Sequence, residues 1–413
     1  MTEQEIDILI IGAGPSGSVA AAYLHQQGFK VKVVEKSKFP RFTIGESLLP
    51  RCMEHFEEVG LLDCLKAEKF QIKQGARFLK EDKSCHFDFK EKHTAGWDWT
   101  WQVPRAKFDE TLTNELQKKG VSISFETEVI AIEFETDGTS KTTIKTTEGK
   151  TETLKAKHCI DASGPGRVIP KLLKLVKAAT SQGNSSIFTH VNDSKRPKGE
   201  EGTLITFDVV TEKAWLWVIP FSNGNTSIGF VGPSEFIDSF SGTSSEKLRT
   251  LLQLSKHYKK RFENSNFLFE PKEFKDFSSP MNALYGNGYT ITGNSAGFLD
   301  PVFSSGVTFA TESGLLAAKL TAKKLQGEAV DWERDYENHL KQGVEVFKTY
   351  VDEWYSGNLQ KIFFTDTINP EIKKQICSVL AGYVWDTSNP FVKNHQRLVT
   401  TLAKVIEIER QEG

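Results

Sequence analysis

The chain predicts an α/β protein in two layers: a mostly parallel nucleotide-binding sheet, an antiparallel sheet above it, and a helical C-terminal region. Three features point there. A strand, a glycine loop and a helix open the chain, apolar strands that end in small-residue turns recur far downstream, and helical periodicity takes over after Gly327. The length agrees, because 413 residues exceed what one hydrophobic core usually supports.

Ile6 to Ile11 is a short apolar run of the kind buried on both faces of a parallel sheet. Gly12 permits the tight turn that follows, Gly14 lets backbone approach a pyrophosphate, and Gly17 lets the next helix pack close to the strand. Ser16 sits in the same loop as a phosphate-side candidate. The small-residue helix from Ser18 offers its N-terminal N–H groups and dipole to phosphates. Lys30 to Val34 is a second strand, and Glu35 at its end is placed to bond the two hydroxyls of an adenosine ribose. A carboxylate there favours an unphosphorylated ribose, as in FAD or NAD.

Two later strands choose between these. Ile160-Asp161-Ala162-Ser163-Gly164 and the run from Tyr289 to Gly297 each pass from an apolar strand into a small-residue turn, so three strand ends converge on one long ligand. That ligand is expected to be FAD, in a Rossmann-like domain. Together with Trp101 to Asp109, these segments resemble the large flavoprotein family that includes para-hydroxybenzoate hydroxylase, geranylgeranyl reductases and flavin-dependent halogenases, from Ile6 to near Leu320. The resemblance implies FAD contacts from Arg41, Ser47, Arg105, Asp161 and Asn294 as well. Family members usually carry Gly-Asp where this chain has Gly293-Asn294, so altered flavin retention is expected.

Within that family the chain is most similar to halogenases of the phenol and pyrrole type. Gly45-Glu46-Ser47-Leu48-Leu49-Pro50 matches their loop beside the flavin, Trp215-Leu216-Trp217-Val218-Ile219-Pro220 matches a Trp-x-Trp-x-Ile-Pro signature, and Phe298 to Gly306 matches a second signature. The resemblance implies that reduced FAD and oxygen convert chloride to hypochlorous acid beside the flavin. The acid then travels to a lysine near the organic substrate. That lysine maps onto Lys73, with Lys80 as the fallback. As an amine it must be neutral to attack, which requires a depressed pKa; as an ammonium it polarises the acid by hydrogen bonding. Both remain open on sequence alone.

Chloride needs positive potential, which backbone N–H groups at a helix start can supply; the resemblance implies that role for Ser305 and Gly306, and implies that Pro301 turns the chain against the flavin. Trp215 and Trp217 share one strand face, with Ile219 and Pro220 following. They serve as core, as a barrier between flavin and substrate, or as both. Trp97, Trp99 and Trp101 alternate in the same way and are read as core in preference to a substrate wall.

Residues 1–75, 102–175 and 285–330 are expected to form a discontinuous FAD-binding domain. Residues 76–101 and 176–284 should form the antiparallel substrate domain, and 331–413 a helical cap over the substrate entrance. Trp332, Tyr336, Leu340, Val344 and Phe347 mark one apolar stripe of that cap.

Composition narrows the partners. A formal charge of -2 offers no electrostatic case for nucleic acid. The polar N-terminus and its six-residue apolar run fit neither a signal peptide nor a membrane span, so a cytoplasmic protein is expected. The five cysteines form no Cys-x-x-Cys pair and read as buried thiols, with no metal site. No second glycine loop marks a nicotinamide site, which favours a separate flavin reductase. The expected partners are that reductase, a halide and a small aromatic, free or on a carrier protein. Alternatives are an aromatic monooxygenase on the same scaffold, a geranylgeranyl-reductase-like enzyme and a non-catalytic flavin-binding protein. Trp215 and Ile219 argue against the prenyl reductase, whose strand reads Tyr-x-Trp-x-Phe-Pro.

Overall fold

The computed structural model of the chain describes residues 3–176, 183–275, 284–297, 299–366 and 368–412. Glu3–Ile11 pairs in parallel with Val31–Val34 on one side and Thr151–Asp161 on the other. Tyr289–Ile291 and Ser122–Ser124 extend this sheet, also in parallel. The strand is buried on both faces, as its continuous apolar run predicts. Ile8 and Ile10 face the core shared with the Pro15–Gln26 helix, while Leu9 and Ile11 face Val129, Ile144 and Leu154.

A seven-stranded second sheet runs in the spatial order Lys272–Phe274, Asn184–Asn192, Asn225–Pro233, Trp215–Pro220, Thr206–Val209, Gly75–Lys80, Lys83–Asp88. All its pairings are antiparallel except that of Thr206–Val209 with Gly75–Lys80. Period-two alternation separates its faces. Trp215, Trp217 and Ile219 enter one core, and Leu216 and Val218 enter another with the Ser244–Leu254 helix.

Gly229 faces Trp217 across the strands. A Cβ there would lie 2.4 Å from Trp217 Cζ2 and 2.4 Å from Phe188 Cβ. Gly229→Ala is therefore expected to displace the Trp217 indole and cost about 1–3 kcal/mol, read as a lower Tm without a change in fold.

The structure corrects two of the expected boundaries. Thr100–Gln102 does not join the second sheet; it pairs with Gln71–Lys73 in a two-stranded sheet of its own. The C-terminal helices also do not stay apart from the two sheets, because they pack into both cores. Tyr336 and Leu340 belong to the core of the first domain, while Phe347, Tyr350, Trp354 and Phe363 share the core of Trp215 and Trp217. The predicted stripe is thus split between two cores, and Val344 stays half-buried. Cys52, Cys85, Cys159 and Cys377 are buried, but Cys64 is only partly so.

Candidate active site

The glycine loop has the shape its sequence requires. Gly12 has φ +103°, and a Cβ on it would meet Ala162 O at 2.4 Å; one on Gly17 would meet Gly12 O at 2.0 Å. Gly14 differs, because its nearest neighbour is the Arg41 guanidinium at 3.6 Å. No side chain caps the N-terminus of the Pro15–Gln26 helix. Uncapped N–H groups, an open glycine face and a nearby cation together make a cradle for a pyrophosphate. Glu35 closes the adenosine end: Oε2 accepts from Ala13 N–H at 2.9 Å and Oε1 from Ser37 N–H at 2.8 Å, leaving each oxygen a lone pair for a ribose hydroxyl. These residues fit FAD.

Other predicted contacts have different jobs. Asp161 is fully buried, and its carboxylate accepts from Ser163 N–H, Ser295 Oγ and Ile169 N–H, so it shapes the turn instead of presenting itself to a ligand. Burial pushes its carboxyl above the usual range, against those hydrogen bonds. Ser16 Oγ donates to Thr292 Oγ1 at 2.8 Å and ties the helix to the third strand end, leaving only its backbone for phosphate. Arg105 forks onto Asp109 and donates to Ile44 O, which fixes the loop before Ser47.

Asn294 lies in the short turn that follows the Tyr289–Ile291 strand. It is half-buried, and its amide makes no hydrogen bond to the described residues. An aspartate there would strengthen a hydrogen bond to a ribityl hydroxyl. Asn294→Asp is expected to tighten FAD retention roughly threefold to tenfold, measured by flavin release on dilution.

Lys73 is the most distinctive group. It is 3% exposed. Nζ donates to Ser47 Oγ at 2.9 Å and to Leu48 O at 2.8 Å, and lies 5.4 Å from the Phe89 ring centroid. Burial pulls its pKa down from 10.5 to about 7, with Cys52 acting the other way. Lys80, the fallback, is partly exposed and donates to Gln360 Oε1 at 3.0 Å on the far end of its strand. Lys73 ends the Gln71–Lys73 strand, which pairs with Thr100–Gln102, whereas Lys80 ends the Gly75–Lys80 strand of the second sheet.

Beside Lys73 the loop supplies buried acceptors. Glu46 Oε1 pairs with His190 Nε2 at 2.6 Å, whereas Glu46 Oε2 and Gln102 Oε1 are buried and find no donor among the described residues. Buried orphan acceptors mark a place completed by a ligand or water. Sequence reading passed over this pair: Glu46 lay inside a quoted motif, but its partner stands 144 positions away and nothing in the chain links them.

The tryptophan strand joins the second signature through side chains. Trp215 Nε1 donates to Tyr355 Oη at 3.1 Å, and Tyr355 Oη donates to Asp300 Oδ2 at 2.9 Å. Asn184 also donates to Asp300, whose carboxyl burial pushes up. Trp217 Nε1 donates to Ser227 Oγ at 3.1 Å, and Pro220 O accepts from Gln102 at 2.6 Å. The indoles are core, as their packing predicts, and also fixed in orientation. Pro301 opens a short 3-10 turn, Ser304 is left-handed at φ +57°, and Ser305 precedes the helix that begins at Gly306 without a side-chain cap hydrogen bond. Phe298 lies outside the described residues. Trp97, Trp99 and Trp101 stack edge to face against the first domain, the core role preferred for them.

The FAD binding domain model matches residues 5–333, and the chain belongs to that family. A tryptophan 2-halogenase of Chondromyces crocatus is 30% identical over 360 residues, 84% of this chain and 67% of the relative. Within the FAD-binding family, this chain belongs to the flavin-dependent halogenases: it is an FAD-dependent oxidoreductase. It is also similar to a 1H-pyrrole-2-carbonyl-(peptidyl-carrier protein) brominase of Pseudoalteromonas luteoviolacea, 26% identical over 390 residues and 92% of each chain. Among solved structures, a flavoprotein/dehydrogenase from Cytophaga hutchinsonii is 48% identical with a TM-score of 0.96, covering 98% of this chain and all of that one. Among the described residues no helix is long and apolar enough to cross a membrane.

Proposed function

We propose that the enzyme works in the cytoplasm, takes FADH2 from a separate flavin reductase, and uses oxygen with chloride or bromide to halogenate an electron-rich aromatic. The substrate class is a phenol or pyrrole, presented free or on a carrier protein. Bound FADH2 would give two electrons to one oxygen molecule and the halide two more, so that the products are hypohalous acid and water. The backbone N–H groups at Ser305 and Gly306 hold the halide, and Trp215, Trp217, Ile219 and Pro220 keep the aromatic ring away from the flavin.

The observation that carries this reading is the burial of Lys73 with its pKa near 7. A neutral amine has two hydrogens, and Ser47 Oγ and Leu48 O take both, leaving the lone pair for the electrophilic halogen. The ammonium form has a third N–H, free to bond the oxygen of hypohalous acid and polarise its halogen. Both forms are populated near neutral pH. In either, halogen replaces a ring hydrogen and water leaves.

Mass spectrometry of a phenol and a pyrrole incubated with enzyme, reductase, oxygen and halide tests the reading. Halide-dependent gain of halogen is expected. Hydroxylated product formed regardless of halide would support the monooxygenase instead.

A further inference from the structure

Lys73 does not stand alone in its buried setting. Its Nζ bonds Leu48 O at 2.8 Å, and the Cys52 thiol donates to the next carbonyl, Leu49 O, at 3.0 Å. Amine and thiol are thus anchored on consecutive carbonyls of one loop. Cys52 is the second residue of the Arg51–Glu58 helix, is fully buried, and is the ionisable group whose charge acts back on Lys73.

A third group completes the arrangement. Thr100 stands directly opposite Lys73 in the antiparallel pairing of their strands, which sets the two Cβ atoms about 5 Å apart. Its hydroxyl is also close enough to Cys52 to favour the thiolate. Thr100 is fully buried, yet its Oγ1 has no well-formed hydrogen bond among the described residues. An unpaired buried hydroxyl beside both an amine and a thiol marks a place where something further is held.

The thiol and the amine differ in readiness. Burial pushes the Cys52 thiol up to about 12, so near neutral pH it is un-ionised and a slow nucleophile. The Lys73 amine, pulled down to about 7, is free in about half the molecules at that pH. Electrophilic halogen that reaches this place therefore meets the amine first. An electron-rich aromatic outcompetes a buried, protonated thiol for the halogen, so the thiol acts only when no aromatic is present.

We propose that Cys52 is a discharge site for Lys73: when hypohalous acid arrives and no aromatic is bound, the two side chains join through a sulfur–nitrogen bond. One amine, one thiol and one hypohalous acid give one sulfenamide, one hydrogen halide and one water. The N–halogen and S–H bonds break as N–S forms; the halogen gains two electrons and leaves as halide, and the sulfur loses the same two. The bond silences an enzyme that would otherwise release a diffusible oxidant, and added thiol reverses it. The proposal rests on the halogenase reading for the origin of the hypohalous acid, but not for the pairing of Lys73 with Cys52.

The test is turnover of the FAD-loaded enzyme with reductase, oxygen and bromide but no aromatic, followed by peptide mass spectrometry. Peptides carrying Lys73 and Cys52 are expected as one cross-linked species, lighter by two hydrogens than their sum. Activity should fall at least about fivefold and return on adding dithiothreitol. Aromatic present throughout should prevent both changes. Cys52→Ser, whose hydroxyl can still bond Leu49 O, should halogenate the aromatic as wild type does, form no cross-link and release more hypohalous acid to a trap. A parallel sample receives one equivalent of hypobromous acid in place of reductase, oxygen and bromide. A cross-link in that sample alone would keep the proposal and remove the halogenase reading. Separate Lys73 and Cys52 peptides after turnover that does deliver acid to the trap, or in both samples, would overturn the proposal, as would equal inactivation of Cys52→Ser.

Discussion

Lys73→Met is expected to abolish aromatic halogenation while making the protein more stable at neutral pH. Lowering a buried lysine from 10.5 to about 7 corresponds to about 5 kcal/mol of stability forgone at pH 7. The sign follows from the depressed pKa: the contribution is fully present above 10.5 and is lost as pH falls to about 7. Methionine carries no such penalty and fills a similar volume. It leaves Leu48 O without its donor, which returns about 1–3 kcal/mol. A net gain of about 2–4 kcal/mol is expected at pH 7, shrinking as pH rises toward 10. Denaturant midpoints of wild type and variant across that range measure it. A buried charge retained at a stability cost is the signature of a functional group.

Glu312→Ala is expected to have the largest destabilising effect. Its carboxylate accepts from Arg51 Nη2 at 3.0 Å, His55 Nε2 at 2.7 Å and His339 Nε2 at 2.8 Å, with His339 stacked on Trp385. Burial opposes ionisation, yet these partners hold the carboxyl far below the usual range. Removing it takes from Arg51 one of its two carboxylates, the other being Glu54, and leaves the Nε2 atoms of His55 and His339 without their partner, at about 3–5 kcal/mol. Because the folded pKa is depressed, the stabilisation is present above about 4.5 and is lost as pH falls below that value. Glu312 lies on the Gly306–Leu325 helix and Arg51 begins the helix after Pro50, so the cluster clamps the two signature loops together. Glu312→Ala should therefore also weaken FAD binding, read by flavin fluorescence on titration. Glu312→Gln should recover part of the stability, since its amide still accepts one of the three bonds.

Local rules explain why the nucleotide end was legible from sequence. The turn at Gly12, the packing at Gly17 and the acid at Glu35 each follow from spacing within one strand-loop-helix unit, and the structure shows each. The alternation of Trp215 and Trp217 with Leu216 and Val218 likewise needs only the period of a strand. What escaped depends on distant pairing. Asp161 looked like a ligand contact because it ends a strand, but three donors from 163, 169 and 295 occupy it. Glu46 with His190, and Glu312 with Arg51, His55 and His339, join segments 27 to 261 positions apart, which no local pattern encodes. The partners of the C-terminal apolar stripe are likewise distant: Tyr336 and Leu340 pack into the core of the first sheet, and Phe347 against the tryptophan face of the second.

In the proposed function, halide oxidation at the flavin and substitution at Lys73 are separate steps in separate places. Measuring released hypohalous acid with a chemical trap, alongside halogenated aromatic, in wild type and Lys73→Met tests it most directly. The variant should oxidise FADH2 and halide at the wild-type rate, deliver hypohalous acid to the trap, and leave the aromatic unhalogenated. A variant that halogenates the aromatic as wild type does, or one that loses halide oxidation together with substitution, would contradict the separation.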